Sequence, residues 1–174
     1  MMPLESIGKE RAAILKEVIR LTQRLKELLQ KDILGLTHGI EVLKAIRRDA
    51  YEDLNQLPHA SMILDAADDI QDAFFKGQAL SWKWNAKQTG LGDEPDLMGF
   101  ANGSAVVSAE ITTSDDPQGS LDSRMRDTLK KLEKCPGRHF YFVDSRAMDQ
   151  RARTKITNLC LHIDVRIAKK REAT

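Results

Sequence analysis

Two carboxylates, Asp96 and Glu110, stand fourteen positions apart in the stretch EPDLMGFANGSAVVSAEIT, residues 94–112. The residues between them have the pattern of a β-hairpin, which would fold the chain back and bring both acids to one end. PDLMGF reads as the first strand. Ala101-Asn102-Gly103 reads as the turn, because Asn-Gly readily takes the positive φ angles of a tight hairpin. SAVVSAEIT, rich in β-branched and small residues, reads as the second strand. Along it Val106, Ser108, Glu110 and Thr112 share one face, and Ala105, Val107, Ala109 and Ile111 the other, with Val107 and Ile111 inward. Glu110 therefore shares its face with two hydroxyls near the end of an otherwise apolar strand. A carboxylate there needs a partner, a metal or water, because an unpaired buried charge is costly. Two carboxylates presented together suit a divalent ion, which grips a phosphate oxygen and lowers the pKa of a bound water.

Pro95-Asp96, then Glu110-Ile111-Thr112, resembles the PD-(D/E)XK motif of restriction-endonuclease-like nucleases. The resemblance implies a divalent-metal-dependent nuclease, with Mg2+ or Mn2+ held by Asp96, Glu110 and the backbone carbonyl of Ile111. Such nucleases often place an acid on the helix before the first core strand, and here that acid is expected to be Asp69 or Asp72. The family's lysine two residues after the second acid is replaced by Thr112. The resemblance then implies a displaced cation, with Lys83, Lys87 and Arg124 the candidates. It also implies nucleic acid as substrate, DNA ahead of RNA by analogy. The alternative is a catalytically inactive relative, a dimeric nucleic-acid-binding or assembly module that keeps the fold. A purely structural protein is a third class.

Around the hairpin the sequence supplies helices and further strands. Residues 4–31 read as a long helix in which Ile14, Val18, Leu21, Leu25 and Leu28 repeat with heptad spacing. A second helix is expected over about 39–56, making an antiparallel helical hairpin with the first. Leu57-Pro58-His59 is the expected boundary, since proline disfavours helix at the residue before it. A third helix, about 60–77, carries Ile63, Ala66, Ala67, Ile70 and Phe74 on one face and Asp65, Asp68, Asp69 and Asp72 on the other. ALSWKWNAK, residues 79–87, alternates as a half-buried strand with Trp82 and Trp84 inward as core anchors. Beyond the motif hairpin come a basic helix from about Ser120 to Lys134, a strand HFYFVD, a helix 147–158 and a last strand IDVRIA at the sheet edge. From Ala60 on, this is the α-β-β-β-α-β order of the resembled core plus one helix and one strand. The expected fold is α/β, a restriction-endonuclease-like mixed central sheet flanked by helices. Residues 1–57 would form a helical appendage and 58–174 the core.

Composition bounds the rest. The chain has 174 residues, 41% hydrophobic and 30% charged. No apolar run approaches the ~18 residues of a membrane helix, so no membrane partner is expected. The N-terminus lacks the pattern of a signal peptide, and Cys135 and Cys160 have no metal-type spacing. Together these point to the cytoplasm. Charge is uneven: residues 58–122 hold 3 basic and 11 acidic groups, and residues 123–174 hold 14 and 6. An acidic metal-binding segment followed by a basic one suits a phosphodiesterase, although the two can also neutralise each other across a packed fold. The heptad spacing of the first helix allows two partners: the second helix, or its own copy in a homodimer through the N-terminal helices.

Overall fold

The computed structural model of the chain describes residues 1–30, 32–85, 94–114 and 120–169. Its elements are, in order, β1 (Met2–Leu4), α1 (Ile7–Leu29), α2 (Leu36–Phe74), β2 (Ser81–Trp84), β3 (Leu97–Ala101), β4 (Ser104–Thr112), α3 (Ser120–Leu132), β5 (Arg138–Val143), α4 (Arg146–Leu159) and β6 (Ile163–Ile167). The strands form one mixed open sheet in sequential order, β1-β2-β3-β4-β5-β6. Neighbours are antiparallel up to β4 and parallel from β4 to β6.

The motif hairpin forms where the sequence placed it. Asn102 and Gly103 take φ of 51° and 80°, and β4 covers the nine residues SAVVSAEIT. Because β4 lies between β3 and β5, both of its edges are paired, and helices cover its two faces. Val107, Ala109 and Ile111 join a core made with Ile63, Leu64 and Ile70 of α2 and with Trp82, Trp84, Phe140 and Phe142. On the opposite face Tyr141, Val143, Ile163 and Val165 pack under Met125, Leu129 and Leu132 of α3 and under Met148 and Ala152 of α4. The tight seat of α3 against the sheet is closed by Pro136-Gly137. Gly137 has φ of 84°, and a side chain there would collide with the Val106 and Val107 backbone. The Ser108 hydroxyl donates to the Pro136 carbonyl at 2.7 Å, which satisfies a fully buried polar group.

Two expectations about the N-terminal region change, and one open alternative is decided. The expected boundary at residues 57–58 falls inside α2, a 39-residue helix with Pro58 in its interior. Proline removes one helical N–H and crowds the carbonyl four residues back, that of Leu54. Both residues are exposed, so water can take that carbonyl, while Ala50 and Ala60, on either side, are buried and hold the helix together. The N-terminal residues also enter the sheet, Met2–Leu4 pairing with β2. The chain thus enters the sheet before the helical hairpin, and α2 runs unbroken from the hairpin into the core layer. Finally, the heptad seam of α1 meets α2 of the same chain: Leu21 is buried, Arg24 bonds Asp49 at 3.0 Å, and Arg11 bonds Asp65 at 2.8 Å and Asp68 at 2.9 Å.

No helix among the described residues is long and apolar enough to cross a membrane.

Candidate carboxylate site at the end of the motif hairpin

Asp96 immediately precedes β3, and Glu110 is the seventh residue of β4. The β3–β4 register pairs Leu97 with Ala109, so the next step outward sets Asp96 beside Glu110. At that step β3 has ended, and the Asp96 side chain continues the ladder in its place. Its Oδ2 accepts a hydrogen bond from the Ile111 backbone N–H at 2.8 Å. This fixes the carboxylate and satisfies a strand donor that would otherwise be left unpaired. The same oxygen lies 3.3 Å from Nε2 of His59, which reaches in from α2.

Glu110 is buried, at 6% exposure, on the face that carries Ser108, Thr112 and Tyr141. Its Oε1 is 2.5 Å from Nζ of Lys131, in the last turn of α3. Burial, then the charge of nearby Asp96, pushes the Glu110 carboxyl up to about 8 against the opposing pull of Lys131. A hydrogen bond to the Asp96 carboxylate acts in the same direction on Glu110. Burial acts to lower the His59 pKa. The hydrogen bond and charge of Asp96 outweigh it, with help from the Ile111 backbone and Glu110, and the net shift is upward.

Thr112, in the position of the family's lysine, pairs its hydroxyl with Tyr141 Oη at 2.8 Å. Burial first, then the neighbouring acids, raises the Tyr141 phenol to about 12, so it stays neutral and holds Thr112 in place.

The other sequence candidates lie elsewhere. Asp69 is buried, but its carboxylate bonds Arg166 of β6 at 2.6 Å, with Lys169 at 3.5 Å. Asp72 lines an open cavity with Asp69, Lys76 and Lys169. These two acids follow His59 on α2 by ten and thirteen residues, roughly 15–20 Å along the axis. The residue that α2 offers to Asp96 is therefore His59, not an acid. Lys83 is exposed, its Nζ 5.1 Å from the Phe100 ring centre. Arg124 is exposed, and among the described residues it makes no ion pair with Asp96 or Glu110. Lys87 lies outside the described residues, as do Asp115 and Asp116.

The sequence pattern does not single out two residues of the site, His59 at the expected boundary beside Pro58 and Lys131 within the basic helix. A usable signal for Lys131 existed: it sits between Leu129 and Leu132, both fully buried, so it borders the packed face of the helix, whereas Arg124 and Arg126 are exposed.

Among the described residues no group of three or more His, Cys, Asp or Glu side chains is arranged to hold a metal ion. The paired carboxylates still suit Mg2+, which is commonly bound through one or two carboxylates and keeps several waters. A buried acid pushed up to about 8 beside a second acid is a site where a divalent cation would relieve excess negative charge. No protein family, curated protein or solved structure matches this chain.

Proposed function

We propose that the protein is a divalent-metal-dependent nuclease of the restriction-endonuclease-like PD-(D/E)XK type, acting on DNA, with RNA as the second choice. The observation that carries this reading is the meeting of Asp96 and Glu110 at one end of a hairpin, with Lys131 against Glu110. The order of elements from α2 to β5, with Asp96 just before the third strand and Glu110 on the fourth strand of a mixed sheet, supports the same assignment of topology.

In this reading Asp96 and Glu110 hold Mg2+ or Mn2+, with the Ile111 carbonyl as a further ligand. The ion supplies the polarisation of a phosphate oxygen and the activation of water. The chain's own residues do the rest. The Ile111 N–H and His59 orient Asp96. Lys131 takes the role of the family's lysine from a different element: its ammonium lies against Glu110 in the free protein and can donate to a phosphate oxygen when nucleic acid arrives. Tyr141 holds Thr112 aside. The exposed bases Arg124, Arg126 and Lys130 of α3, and Lys134 just after it, offer phosphate contacts.

Titration of the protein with Mg2+ or Mn2+ in a calorimeter tests the reading, run on the wild type and on Glu110→Ala. Saturable binding that the substitution abolishes, followed by metal-dependent cleavage of DNA that Lys131→Met removes, is the expected result. Absence of metal binding in the wild type, both alone and with DNA present, would overturn it.

One observation favours a second reading, the inactive nucleic-acid-binding or assembly relative. Thr112 is committed to Tyr141, and Lys131 to Glu110, so the site is internally neutralised without a metal. That reading predicts salt-dependent DNA binding with no metal requirement and no cleavage.

A further inference from the structure

The hairpin of α1 and α2 carries apolar side chains that remain exposed among the described residues. Leu21 of the α1 heptad seam is buried, yet Leu15, Ile19 and Leu29 of α1 and Leu36, Leu43 and Leu54 of α2 remain 46–82% exposed. Their spacing places them together. The contacts Arg24–Asp49 and Arg11–Asp65 show that the two helices run antiparallel. Leu21 marks the contact line of α1; Val42, Ala50 and Ala60 mark that of α2. At about 100° per residue, Leu15, Ile19 and Leu29 lie roughly a quarter to half a turn round α1 from that line. Leu36, Leu43 and Leu54 lie roughly a quarter turn round α2 in the same rotational sense. For antiparallel helices that sense leads to the same side of the pair. The two exposed stripes therefore form one face, with Leu29 near Leu43 toward the tip and Ile19 near Leu54 higher up.

We propose that this face is the contact surface for a second copy of the chain, closing a symmetric homodimer in which two helical hairpins pack into a four-helix bundle. Area selects this occupant. The six side chains together expose roughly 650 Å2, just beyond the ~300–600 Å2 of the largest apolar patch on a typical monomer. That lies within the ~600–1,000 Å2 that each partner contributes to a specific interface. Shape agrees: a flat apolar face of two antiparallel helices meets its own copy across a two-fold axis, and the product is the ordinary left-handed bundle. Each α1 and α2 would then have apolar neighbours on two sides, one within the chain and one across the axis. The proposal concerns the hairpin alone and stands whether or not the carboxylates bind metal.

Sedimentation equilibrium of the nuclease-treated full chain, across a concentration series and again in molar salt, is the test. The expected species is twice the 19.6 kDa chain mass. It should persist in high salt because the face is apolar. Ile19→Glu with Leu43→Glu should weaken association by at least about a hundredfold, since each acid is desolvated at the interface. The fold should survive, because both side chains are exposed. Leu36→Lys with Leu54→Lys is the second variant, on other turns of the same face, and carries the test if the first pair does not fold. A monomeric wild type, a higher oligomer, or a dimer that survives substitution of the face would each overturn the proposal. Capture of a different protein by a monomeric wild type would do the same.

Discussion

Glu110→Gln isolates the electrostatic character of the candidate site. In the folded chain burial and the charge of Asp96 push the Glu110 carboxyl up to about 8, against an ordinary value of 4.5. Between those two pH values the folded chain keeps a proton that the unfolded chain has released, so this group makes stability fall as pH rises. The slope approaches about 1.4 kcal/mol per pH unit, with a ceiling of about 5 kcal/mol across the window. His59 acts in the same direction. Its folded pKa is raised, so its contribution is complete below its unfolded value and fades as pH climbs through the folded one. That contribution is present in both chains and largely cancels in their difference. Glutamine removes the Glu110 charge while keeping its shape. Lys131 loses its partner, but its side chain is 31% exposed and can turn to water. Urea unfolding followed by the fluorescence of buried Trp82 and Trp84 supplies the measurement. Near pH 5 the two chains should differ by about 1 kcal/mol or less, and near pH 9 the variant should be the more stable by several kcal/mol. A wild-type-minus-variant difference that stays constant from about pH 5 to about pH 9 would refute the reasoning.

Other substitutions probe the same network and its supports. Asp96→Ala removes the charge that helps raise Glu110, so the midpoint of the pH-dependent stability loss should move to lower pH. It should also destabilise by about 2 kcal/mol near neutrality, as the Ile111 N–H loses its acceptor, measured by the same unfolding curves. Lys131→Met should shift that midpoint upward, because the one opposing cation is gone, with a stability loss at alkaline pH of about 2 kcal/mol read in urea. Tyr141→Phe should lower stability by about 1 kcal/mol through the lost Thr112 bond and leave the Glu110 titration nearly in place, checked by thermal melts over the same pH range. Gly137→Ala places a side chain against the β4 backbone at positive φ and should destabilise by about 3 kcal/mol or more, visible as a large drop in the melting temperature.

What the sequence by itself determined is local. The Asn-Gly turn, the nine-residue strand after it and the alternation of its faces depend on neighbours in the chain. A hairpin register follows from its turn, so the meeting of the two strand ends was legible, but the turn alone would set Asp96 opposite Ala109; the bulge at Gly99-Phe100 shifts the pairing by one residue and sets Asp96 beside Glu110. The apolar stripes of α3 and α4 and the inward tryptophans were legible for the same reason.

Tertiary structure decided what local pattern leaves open. Pro58 looks like a helix stop in isolation, yet burial of Ala50 and Ala60 on either side carries α2 through it. The heptads of α1 do not say which helix they meet, and short connection to α2 settled that within the chain. The companions of the acids come from outside the hairpin: His59 is 37 residues from Asp96, while Lys131 follows Glu110 across a helix. A long polar side chain carries no periodic signal of its own. Its partner is fixed only when packing of Leu129 and Leu132 sets the rotation of α3, and that packing is a property of the whole sheet, not of any one segment.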